Sequence, residues 1–384
     1  MKESGENYRA RLKSSRLLVI KVGSQVMVDE RGKIARSFFD EFARTVAGLY
    51  RQGRKVVIVS SGAIVNGLLQ LPGLRKTLTM PEKQAIAALG QPILMRHYQR
   101  AFQKYKIPVG QVLLTHEDFS IRARYLNSKN TLEEMQKLGI VPVINENDTV
   151  AVEEIRFGEN DRLAALVAVM LKAELLVILS VAPGFCREDP LKNPSTAVIP
   201  VIASLDQKLY ECAEESRSKT GSGGIKSKLD AAAVAGAAGI TTFIGSGRDP
   251  EVLRRLLEGK IMGSLVLPGG EKLKGIKHWL LFAGQGKGEI KIDRGAVRAL
   301  VERNKSLLPS GVLEVKGKFL AGELVSVVDE QGREVAKGLV NYGSQDLKKI
   351  SGHQTGDIAS LLGAKDYDEV IHRDNLVLSA RDVR

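Results

Sequence analysis

The sequence predicts an α/β protein with a mainly parallel central sheet, followed by a smaller β-rich domain. Strand-length runs of Val, Ile and Leu alternate with helical patterns up to residue 245, and this alternation is typical of a parallel sheet covered by helices. After Met262 a glycine-rich segment interrupts this pattern, and short strand-like runs separated by glycine turns follow. A chain of 384 residues is long enough to form two such cores.

Five runs are predicted as strands of the parallel sheet, and each ends in glycine or polar residues: 17–22, 55–60, 141–145, 175–180 and 241–245. Helical patterns occur at 64–71, 163–171 and 229–238. In an open parallel sheet, ligands bind beyond the carboxyl ends of the strands. We therefore expect the chemistry to depend on the residues that directly follow these runs.

A domain boundary is expected after Met262, where glycines and a proline at 263–270 precede a lysine-containing stretch. Beyond it, short runs at 313–315, 323–328 and 334–340 and a helical pattern at 295–303 predict a small β-barrel-like or mixed β domain. The predicted division of the chain is a flexible tail, an α/β domain, a linker and a β-rich domain, over residues 1–16, 17–270, 271–286 and 287–384.

The net charge of +13 is unevenly distributed along the chain. Residues 285–384 carry 16 Lys and Arg against 15 Asp and Glu, so the first 284 residues hold an excess of +12. This distribution is typical of an enzyme that handles polyanions, and it argues against a dedicated nucleic-acid module in the C-terminal part. Cys186 and Cys212 match no metal or redox spacing, and no run resembles a signal peptide or a membrane span. We expect a cytoplasmic protein with no membrane partner.

The most informative segment is the glycine-rich stretch 221–228, which reads Gly-Ser-Gly-Gly-Ile-Lys-Ser-Lys and precedes an alanine-rich helical pattern. Glycines leave backbone amides uncovered, and a helix start offers unpaired N–H groups and partial positive charge to an anion. The spacing is neither that of a P-loop nor that of a dinucleotide-binding turn. The segment predicts a phosphate-binding loop of another kind, although a glycine-rich connector explains it equally well when it is taken alone.

Two strand ends carry further candidate residues. Lys21 lies at the end of the first strand, before a glycine turn, where it can place a cation beside a phosphoryl group. An ordinary lysine at a sheet edge is the alternative. The second strand ends at Ser60, and the following Ser61 and Gly62 precede a helical pattern that can hold a carboxylate or phosphate on its amides. Helix capping by a serine explains the same residues without a ligand.

Acidic and amide side chains collect after the third predicted strand, in the segment Asn-Glu-Asn-Asp-Thr at 145–149. Such a cluster can bind a substrate ammonium group, and a polar turn is the alternative. Asp161 directly precedes the helical pattern 163–171, where it can act as a helix cap. It can also lie between Lys21 and Lys228 and hold both ammonium groups in place for phosphoryl transfer.

The five histidines show no metal spacing, and no covalent nucleophile is apparent. Cations at separate strand ends without such a nucleophile favour direct phosphoryl transfer from a nucleotide with a magnesium ion.

Together these motifs resemble the glutamate 5-kinases, or γ-glutamyl kinases, of the amino acid kinase superfamily. The resemblance runs from about Leu17 to the C-terminus. It includes the Gly-Gln pairs at 90–91 and 110–111 and the Leu-Leu-Pro-Ser-Gly turn at 307–311, and residues 287–374 resemble a PUA domain. The motifs that carry it are Lys21-Val-Gly-Ser, Ser60-Ser-Gly-Ala-Ile, Val141-Pro-Val-Ile-Asn-Glu-Asn-Asp, Gly158-Glu-Asn-Asp and Ser222-Gly-Gly-Ile-Lys-Ser-Lys.

The resemblance implies an amino-acid-kinase-like αβα sandwich over 17–270 and transfer of the ATP γ-phosphate, with Mg²⁺, to the side-chain carboxylate of L-glutamate. This reaction is the first step of proline biosynthesis. The implied catalytic residues are Lys21, Asp161 and Lys228. The implied glutamate-binding residues are Ser61, Asp148 and Asn160, with Asp148 on the ammonium group. The implied ATP-binding residues are Lys21, Ser180, Val181, Ser222, Gly223, Gly224, Ile225, Lys226, Ser227 and Lys228. No protein ligand for the metal is implied.

Family members are usually inhibited by proline and form homo-oligomers through the kinase domain, so both are expected here. The chain departs from the family pattern at Val181, where an acidic residue is usual. If the family uses that side chain on the nucleotide, this chain must rely on its backbone there. Two alternatives stay open: a related kinase of another small acid, and an RNA-binding or regulatory PUA protein, which the near-neutral C-terminal domain disfavours.

Overall fold

The computed structural model describes residues 5–74, 78–115, 117–150, 159–186, 196–215, 224–268, 287–363 and 367–379. The chain falls into two compact units. The first runs from the N-terminus to Thr115 and from Asn127 to Lys272, and the second comprises His116–Leu126 and the chain from Leu273 onward. The predicted linker over 271–286 lies outside the described residues.

The first unit contains an eight-stranded, mostly parallel sheet with the strand order β3-β4-β2-β1-β5-β7-β8-β6. Only β8 and its neighbour β6 run opposite to the others, because β7 and β8 pair antiparallel while β6 and β8 pair parallel. The strands are β1 (Leu17–Val22), β2 (Lys55–Ser60), β3 (Val109–Leu114), β4 (Val141–Glu146), β5 (Leu175–Ser180), β6 (Val201–Ile202), β7 (Thr241–Ser246) and β8 (Gly263–Val266).

Helices cover both faces of this sheet, as the αβα prediction requires. One core joins residues of α1, α2, α4 and α10 with one face of the sheet, and α7 and α9 pack together against its central strands. No helix among the described residues is long and apolar enough to cross a membrane. The helices up to residue 268 are α1 (Gly5–Ser14), α2 (Arg36–Arg51), α3 (Ala63–Leu68), α4 (Met80–Gln103), α5 (Glu117–Ser120), α6 (Arg122–Lys137), α7 (Glu159–Leu171), α8 (Gln207–Glu215), α9 (Ile225–Ala237) and α10 (Val252–Leu257).

The alternation of side chains along β1 determines which helices its residues meet. Leu18, Ile20 and Val22 belong to the core that contains α2 and α4. Because successive residues of a strand point to opposite faces, Val19 and Lys21 face the layer of α7. A lysine at this one position of an apolar strand therefore reaches the start of α7 and not the aromatic core.

The five predicted parallel strands are present, but three strands were missed. One is the two-residue strand β6, and another is β3, whose Gly110 and Gln111 lower its apolar content at the edge of the sheet. The third is β8, which lies where the sequence predicted a domain boundary, and that prediction is corrected. Gly263 is the first residue of this strand. Only glycine fits there, because a Cβ would lie 2.4 Å from the carbonyl oxygen of Ile244. The glycine marks a close approach of two strands and not the end of the domain.

The N-terminal region also differs from the predicted flexible tail, since Gly5–Ser14 forms helix α1. Leu12 is buried in the core of the first unit. The guanidinium of Arg54 donates hydrogen bonds to the carbonyl oxygens of Lys13 (2.8 Å) and Ser15 (2.9 Å) at the end of this helix. One apolar side chain and one bidentate cap therefore fix a helix whose polar composition predicts a solvated tail.

Two glycines allow α3 and α4 to cross at close range. A Cβ on Gly90 of α4 would lie 1.8 Å from the carbonyl oxygen of Ala63 and 2.4 Å from the amide nitrogen of Gly67. A Cβ on Gly67 of α3 would lie 2.1 Å from the carbonyl oxygen of Ile86. Neither contact can relax by a side-chain rotation, because the atoms concerned belong to the backbone. The crossing therefore holds the start of α3 against the middle of α4.

Gly90→Ala is expected to lower the free energy of unfolding by about 3 kcal/mol, because the new methyl group forces the two helices apart. Gly48→Ala in α2 is the matched control, since nothing lies within 4 Å of its ideal Cβ. That change is expected to raise the free energy of unfolding by about 0.5 kcal/mol through helix propensity. Urea denaturation of both variants measures the difference, and similar midpoints would contradict the close crossing.

The second unit contains a five-stranded sheet with the order β10-β9-β11-β12-β13, in which only β9 and β11 pair parallel. Ile290, Val312 and Val327 belong to its core, which is separate from that of the first unit. The additional elements are α11 (Arg294–Val301), α12 (Ser344–Ile350) and α13 (Ile358–Leu362), with β9 (Gly288–Ile292), β10 (Val312–Gly317), β11 (Leu324–Val328), β12 (Glu334–Leu339) and β13 (Leu376–Leu378). The predicted small β-rich domain is thus confirmed.

Candidate active site

The candidate site lies at the carboxyl edge of the sheet in the first unit, where the central strands end and two helices begin. Lys21 is the last residue but one of β1, and Ser61 directly follows β2. Asn160 and Asp161 lie in the first turn of α7, and Lys228 lies in the first turn of α9. The parallel arrangement brings residues that are far apart in sequence to one edge.

The centre of the site is a carboxylate between two ammonium groups. The distance from Lys21 Nζ to Asp161 Oδ1 is 2.6 Å, and that from Lys228 Nζ to Asp161 Oδ2 is 3.3 Å. The side chains of Lys21 and Lys228 are 8% and 6% exposed, and that of Asp161 is fully buried. The structure therefore brings together the three residues that the sequence singled out for phosphoryl transfer.

This arrangement controls the protonation of the central carboxylate. Burial alone raises the pKa of Asp161, but the charges of Lys21 and Lys228, together with hydrogen bonds from Lys21 and Ser227, lower it to about 2. Burial lowers the pKa of Lys228, and the charge of Asp161 opposes this effect. Asp161 is therefore ionised throughout the neutral range and unsuited to accept a proton in the reaction.

Helix α9 begins earlier than the sequence predicted, because its first residue is Ile225 and not Leu229. Gly224 is its N-cap and supplies no side-chain cap. The hydroxyl of Ser227 lies 2.7 Å from Asp161 Oδ2 and donates to it. Lys226, Ser227 and Lys228 thus belong to the first helical turn, where amides and partial positive charge are available to an anion. Ser222 and Gly223 of the predicted loop lie outside the described residues.

A second group of side chains surrounds Asn160. Its Nδ2 donates to Ser61 Oγ at 2.9 Å and to Asn145 Oδ1 at 3.0 Å. Its Oδ1 is buried and has no hydrogen-bond partner among the described residues. A buried acceptor without a partner is costly unless a ligand supplies the donor. Two of the predicted substrate residues, Ser61 and Asn160, are therefore in direct contact.

Asp148 follows β4 and is partly buried. Burial raises the pKa of its carboxyl to about 6. Among the described residues, no hydrogen bond or ion pair to this carboxylate is present to offset the burial. A cationic ligand group would stabilise the ionised form.

Ser180 and Val181 lie where β5 ends, next to the turn that follows β1. The amide of Gly23 donates to the carbonyl oxygen of Leu179 at 3.0 Å, and that of Gly247 donates to the carbonyl oxygen of Ser180 at 2.8 Å. A Cβ on Gly23 would lie 3.8 Å from Lys21 Nζ. A side chain at this position would therefore contact the Lys21 ammonium group and, at 3.3 Å, the carbonyl oxygen of Leu179. Val181 is 39% exposed and presents an apolar side chain beside this turn.

Sequence reasoning placed Asn145 in the polar cluster at 145–149 without an individual role, and it assigned no chemistry to Gln91. Asn145 accepts the hydrogen bond from Asn160, and its own Nδ2 donates to Gln91 Oε1 at 2.9 Å. The available signal was the pair of Gly-Gln sequences at 90–91 and 110–111. The described residues contain no group of three His, Cys, Asp or Glu side chains placed to hold a metal ion.

Comparisons with known proteins match two different families along the chain. Residues 16–246 match the model of the amino acid kinase family, and residues 288–362 match the PUA domain.

Full-length relatives are similar over nearly the whole chain. A glutamate 5-kinase of Thermus thermophilus is 48% identical over 365 residues, which cover 95% of this chain and 98% of that protein. A glutamate 5-kinase of Carboxydothermus hydrogenoformans is 46% identical over 368 residues, which cover 96% of this chain and 98% of that protein. The solved N-acetylglutamate synthase of Neisseria gonorrhoeae shares the fold at 14% identity, with a TM-score of 0.51 over 79% of this chain and 69% of that one.

Proposed function

Because this chain belongs to the glutamate 5-kinases of the amino acid kinase family, we propose a role in the reaction for each residue of the site. The chain is an ATP-dependent kinase that phosphorylates the side-chain carboxylate of L-glutamate, the first step of proline biosynthesis. One observation carries the assignment of the site: Asp161 holds the ammonium groups of Lys21 and Lys228 together at the carboxyl edge of the sheet.

The transfer needs positioning and charge stabilisation and no proton transfer. An oxygen of the glutamate side-chain carboxylate attacks the γ-phosphorus of ATP, a new oxygen–phosphorus bond forms, and the bond from the γ-phosphorus to the bridging oxygen breaks. The electron pair of that bond remains on ADP. The attacking carboxylate is already ionised near neutral pH, so a general base has no role. The low pKa of Asp161 supports the same view, since so acidic a group is a poor base.

In this proposal the two lysines stabilise the charge that moves during transfer. Lys21 contacts the transferring phosphoryl group, beside the glycine turn that follows β1. Lys228 neutralises charge on the phosphates from the first turn of α9. Asp161 binds neither substrate and fixes both ammonium groups, which would otherwise repel each other in a buried place.

The nucleotide is proposed to bind at the N-terminus of α9. Backbone amides would come from Gly224, Ile225, Lys226 and Ser227. Ser222 and Gly223, which precede them in the sequence, are also proposed to contact the nucleotide. Ser180 and Val181 would contribute backbone groups at the end of β5. Mg²⁺ would enter with ATP and neutralise charge on its phosphate oxygens. Because Asp161 is already paired with two lysines, the phosphates and water would be the ligands of this ion.

The acceptor is proposed to bind among Ser61, Asp148 and Asn160. The Asp148 carboxylate would pair with the glutamate ammonium group, and the buried Oδ1 of Asn160 would accept a hydrogen bond from it. We also propose that proline competes as a feedback inhibitor and that the kinase domain forms a homo-oligomer, as the family resemblance implies.

The choice of acceptor is tested by measuring ATP-dependent hydroxamate formation with glutamate, aspartate and N-acetylglutamate. Glutamate is expected to be the preferred acceptor, because N-acetylation removes the charge that Asp148 would pair with and aspartate is one methylene shorter. Preference for N-acetylglutamate would favour the alternative of a related kinase of another small acid.

The affinity for glutamate is expected to fall as the pH drops through about 6. Protonation of Asp148 removes the charge that attracts the ammonium group, so kcat/KM for glutamate should fall about tenfold per pH unit below its pKa. The side-chain carboxyl of free glutamate titrates near pH 4.3 and does not obscure this range. Initial rates from pH 5 to 8 measure the effect, with the KM for ATP as the internal control. Asp148→Asn should raise the KM for glutamate and abolish this pH dependence, and a variant that retains it would contradict the assignment.

A further inference from the structure

We propose that Gln91 is a positioning residue of the acceptor site, which acts through Asn145 to turn the carbonyl oxygen of Asn160 towards the ammonium group of glutamate. The proposal concerns a row of four side-chain amides, Gln111, Gln91, Asn145 and Asn160, which we call the amide relay. It rests on the proposed acceptor site and adds to it a residue on α4 that is outside that site.

The four amides are joined by consecutive hydrogen bonds across three layers of the fold. Gln91 Nε2 donates to Gln111 Oε1 at 3.0 Å, and Asn145 Nδ2 donates to Gln91 Oε1 at 2.9 Å. Asn160 Nδ2 then donates to Asn145 Oδ1 at 3.0 Å. The relay thus runs from edge strand β3 through α4 and β4 to the first turn of α7.

All bonds of the relay point in the same direction. Gln91 and Asn145 each donate their NH₂ group towards β3 and receive a hydrogen bond on their oxygen from the next amide, and Asn160 donates in the same direction. The direction leaves one oxygen at the inner end without a donor, and this oxygen is the buried Oδ1 of Asn160. A relay of the opposite direction would leave an NH₂ group there, which would bind a carboxylate and repel an ammonium group. The direction therefore decides which charge the site accepts.

Gln91 is the member of the relay that can fix this direction. It is 8% exposed and Asn145 is 2% exposed, whereas Gln111 at the outer end is exposed to water. The neighbouring Gly90 holds the backbone of α4 against Ala63, so the position of the Gln91 side chain is determined by the packing of α3 and α4. Inside a protein, such a chain of hydrogen bonds is strengthened by the low local dielectric and is costly to leave unsatisfied.

Two substitutions separate this role from a contribution to packing. Gln91→Met keeps the size of the side chain and removes its polar atoms, so Asn145 loses its acceptor. Gln91→Glu keeps an acceptor for Asn145, and Gln111 can rotate its amide to donate to the new carboxylate. The relay predicts that Met impairs the site and Glu preserves it. A packing role predicts the opposite order, because Met is an apolar isostere whereas Glu introduces a buried charge.

The experiment measures KM and kcat for glutamate and the KM for ATP in both variants, with Gln99→Met as the matched control at an exposed position of α4. Gln91→Met is expected to raise the KM for glutamate about tenfold, with kcat and the KM for ATP within threefold of the original values. Gln91→Glu is expected to stay within threefold in all three, as is Gln99→Met. Melting temperatures establish that each variant is folded.

A KM for glutamate in Gln91→Met equal to that of the unaltered protein would overturn the proposal, as would a larger increase in Gln91→Glu than in Gln91→Met. Failure of Gln91→Met to fold, together with an unchanged KM for glutamate in Gln91→Glu, would support it, because Glu keeps the oxygen that accepts from Asn145 even though it adds a buried charge. If the unaltered protein fails to phosphorylate glutamate, the proposed function is wrong, and that result is distinct from any of these.

Discussion

Asp161→Asn is expected to lower kcat for glutamyl phosphate formation by about 10³-fold, the size of effect seen when a preorganised charge-stabilising group is removed. An asparagine at this position can accept from one ammonium group through its oxygen, but its NH₂ group would face the other. Lys21 and Lys228 would then repel each other across a site in which both are almost fully buried. Neither ammonium group would then remain in position to stabilise the charge on the transferring phosphoryl group.

The same substitution should also destabilise the fold, because it leaves two buried cations without their counter-charge. Breaking a buried ion pair by removal of one partner costs about 3–5 kcal/mol. Activity and folding must therefore be measured together, by hydroxamate formation at saturating substrates and by thermal unfolding. Ser227→Ala is the graded control, because it removes one hydrogen bond to Asp161 and leaves both ion pairs. A nearly normal kcat in a folded Asp161→Asn protein would refute the positioning role.

Lys228→Met is expected to lower kcat by a similar factor of about 10³ with little loss of stability. The substitution removes a buried charge whose pKa burial already lowers, and Asp161 keeps its closer ion pair with Lys21. The contrast between the two variants is diagnostic, since only the loss of the carboxylate leaves charges unpaired. Single-turnover rates with saturating ATP and glutamate measure the catalytic loss.

The control for this prediction is Lys260→Met, which removes a lysine whose side chain is 70% exposed and lies outside the site. It should leave kcat within twofold and so exclude a general effect of lowering the net charge. The proposed role of Lys228 on the phosphates is contradicted if only the KM for glutamate changes and kcat does not.

The meeting of Lys21, Asp161 and Lys228 could be predicted from sequence because it follows from topology. Each residue lies next to a predicted strand end or helix start, and parallel strands bring their carboxyl ends to one edge. The family resemblance carried by the same motifs is confirmed by the matches along the chain. The roles of the individual residues remain predictions that the variants above test.

Other features depend on contacts that no local pattern reveals. The start of α9 at Ile225 was missed because the prediction relied on the alanine-rich run alone. Lysine and serine are also acceptable in a first helical turn, so the helix begins before that run. The β8 strand was missed because its first glycine resembles a domain boundary, whereas it is required by the close approach of Ile244. One hydrogen bond of the amide relay joins residues that are 54 positions apart, and it forms only when α4 and β4 are packed together.

The anchoring of the N-terminal helix has a practical consequence for work with this enzyme. The polar composition of the residues before Leu17 suggests that they can be removed. A shortened protein that begins at Leu17 would lose the carbonyl groups of Lys13 and Ser15 to which Arg54 donates, and it would expose the core residues that Leu12 covers. Purification tags and cleavage sites are better placed ahead of Gly5, so that the helix stays intact after the tag has been removed.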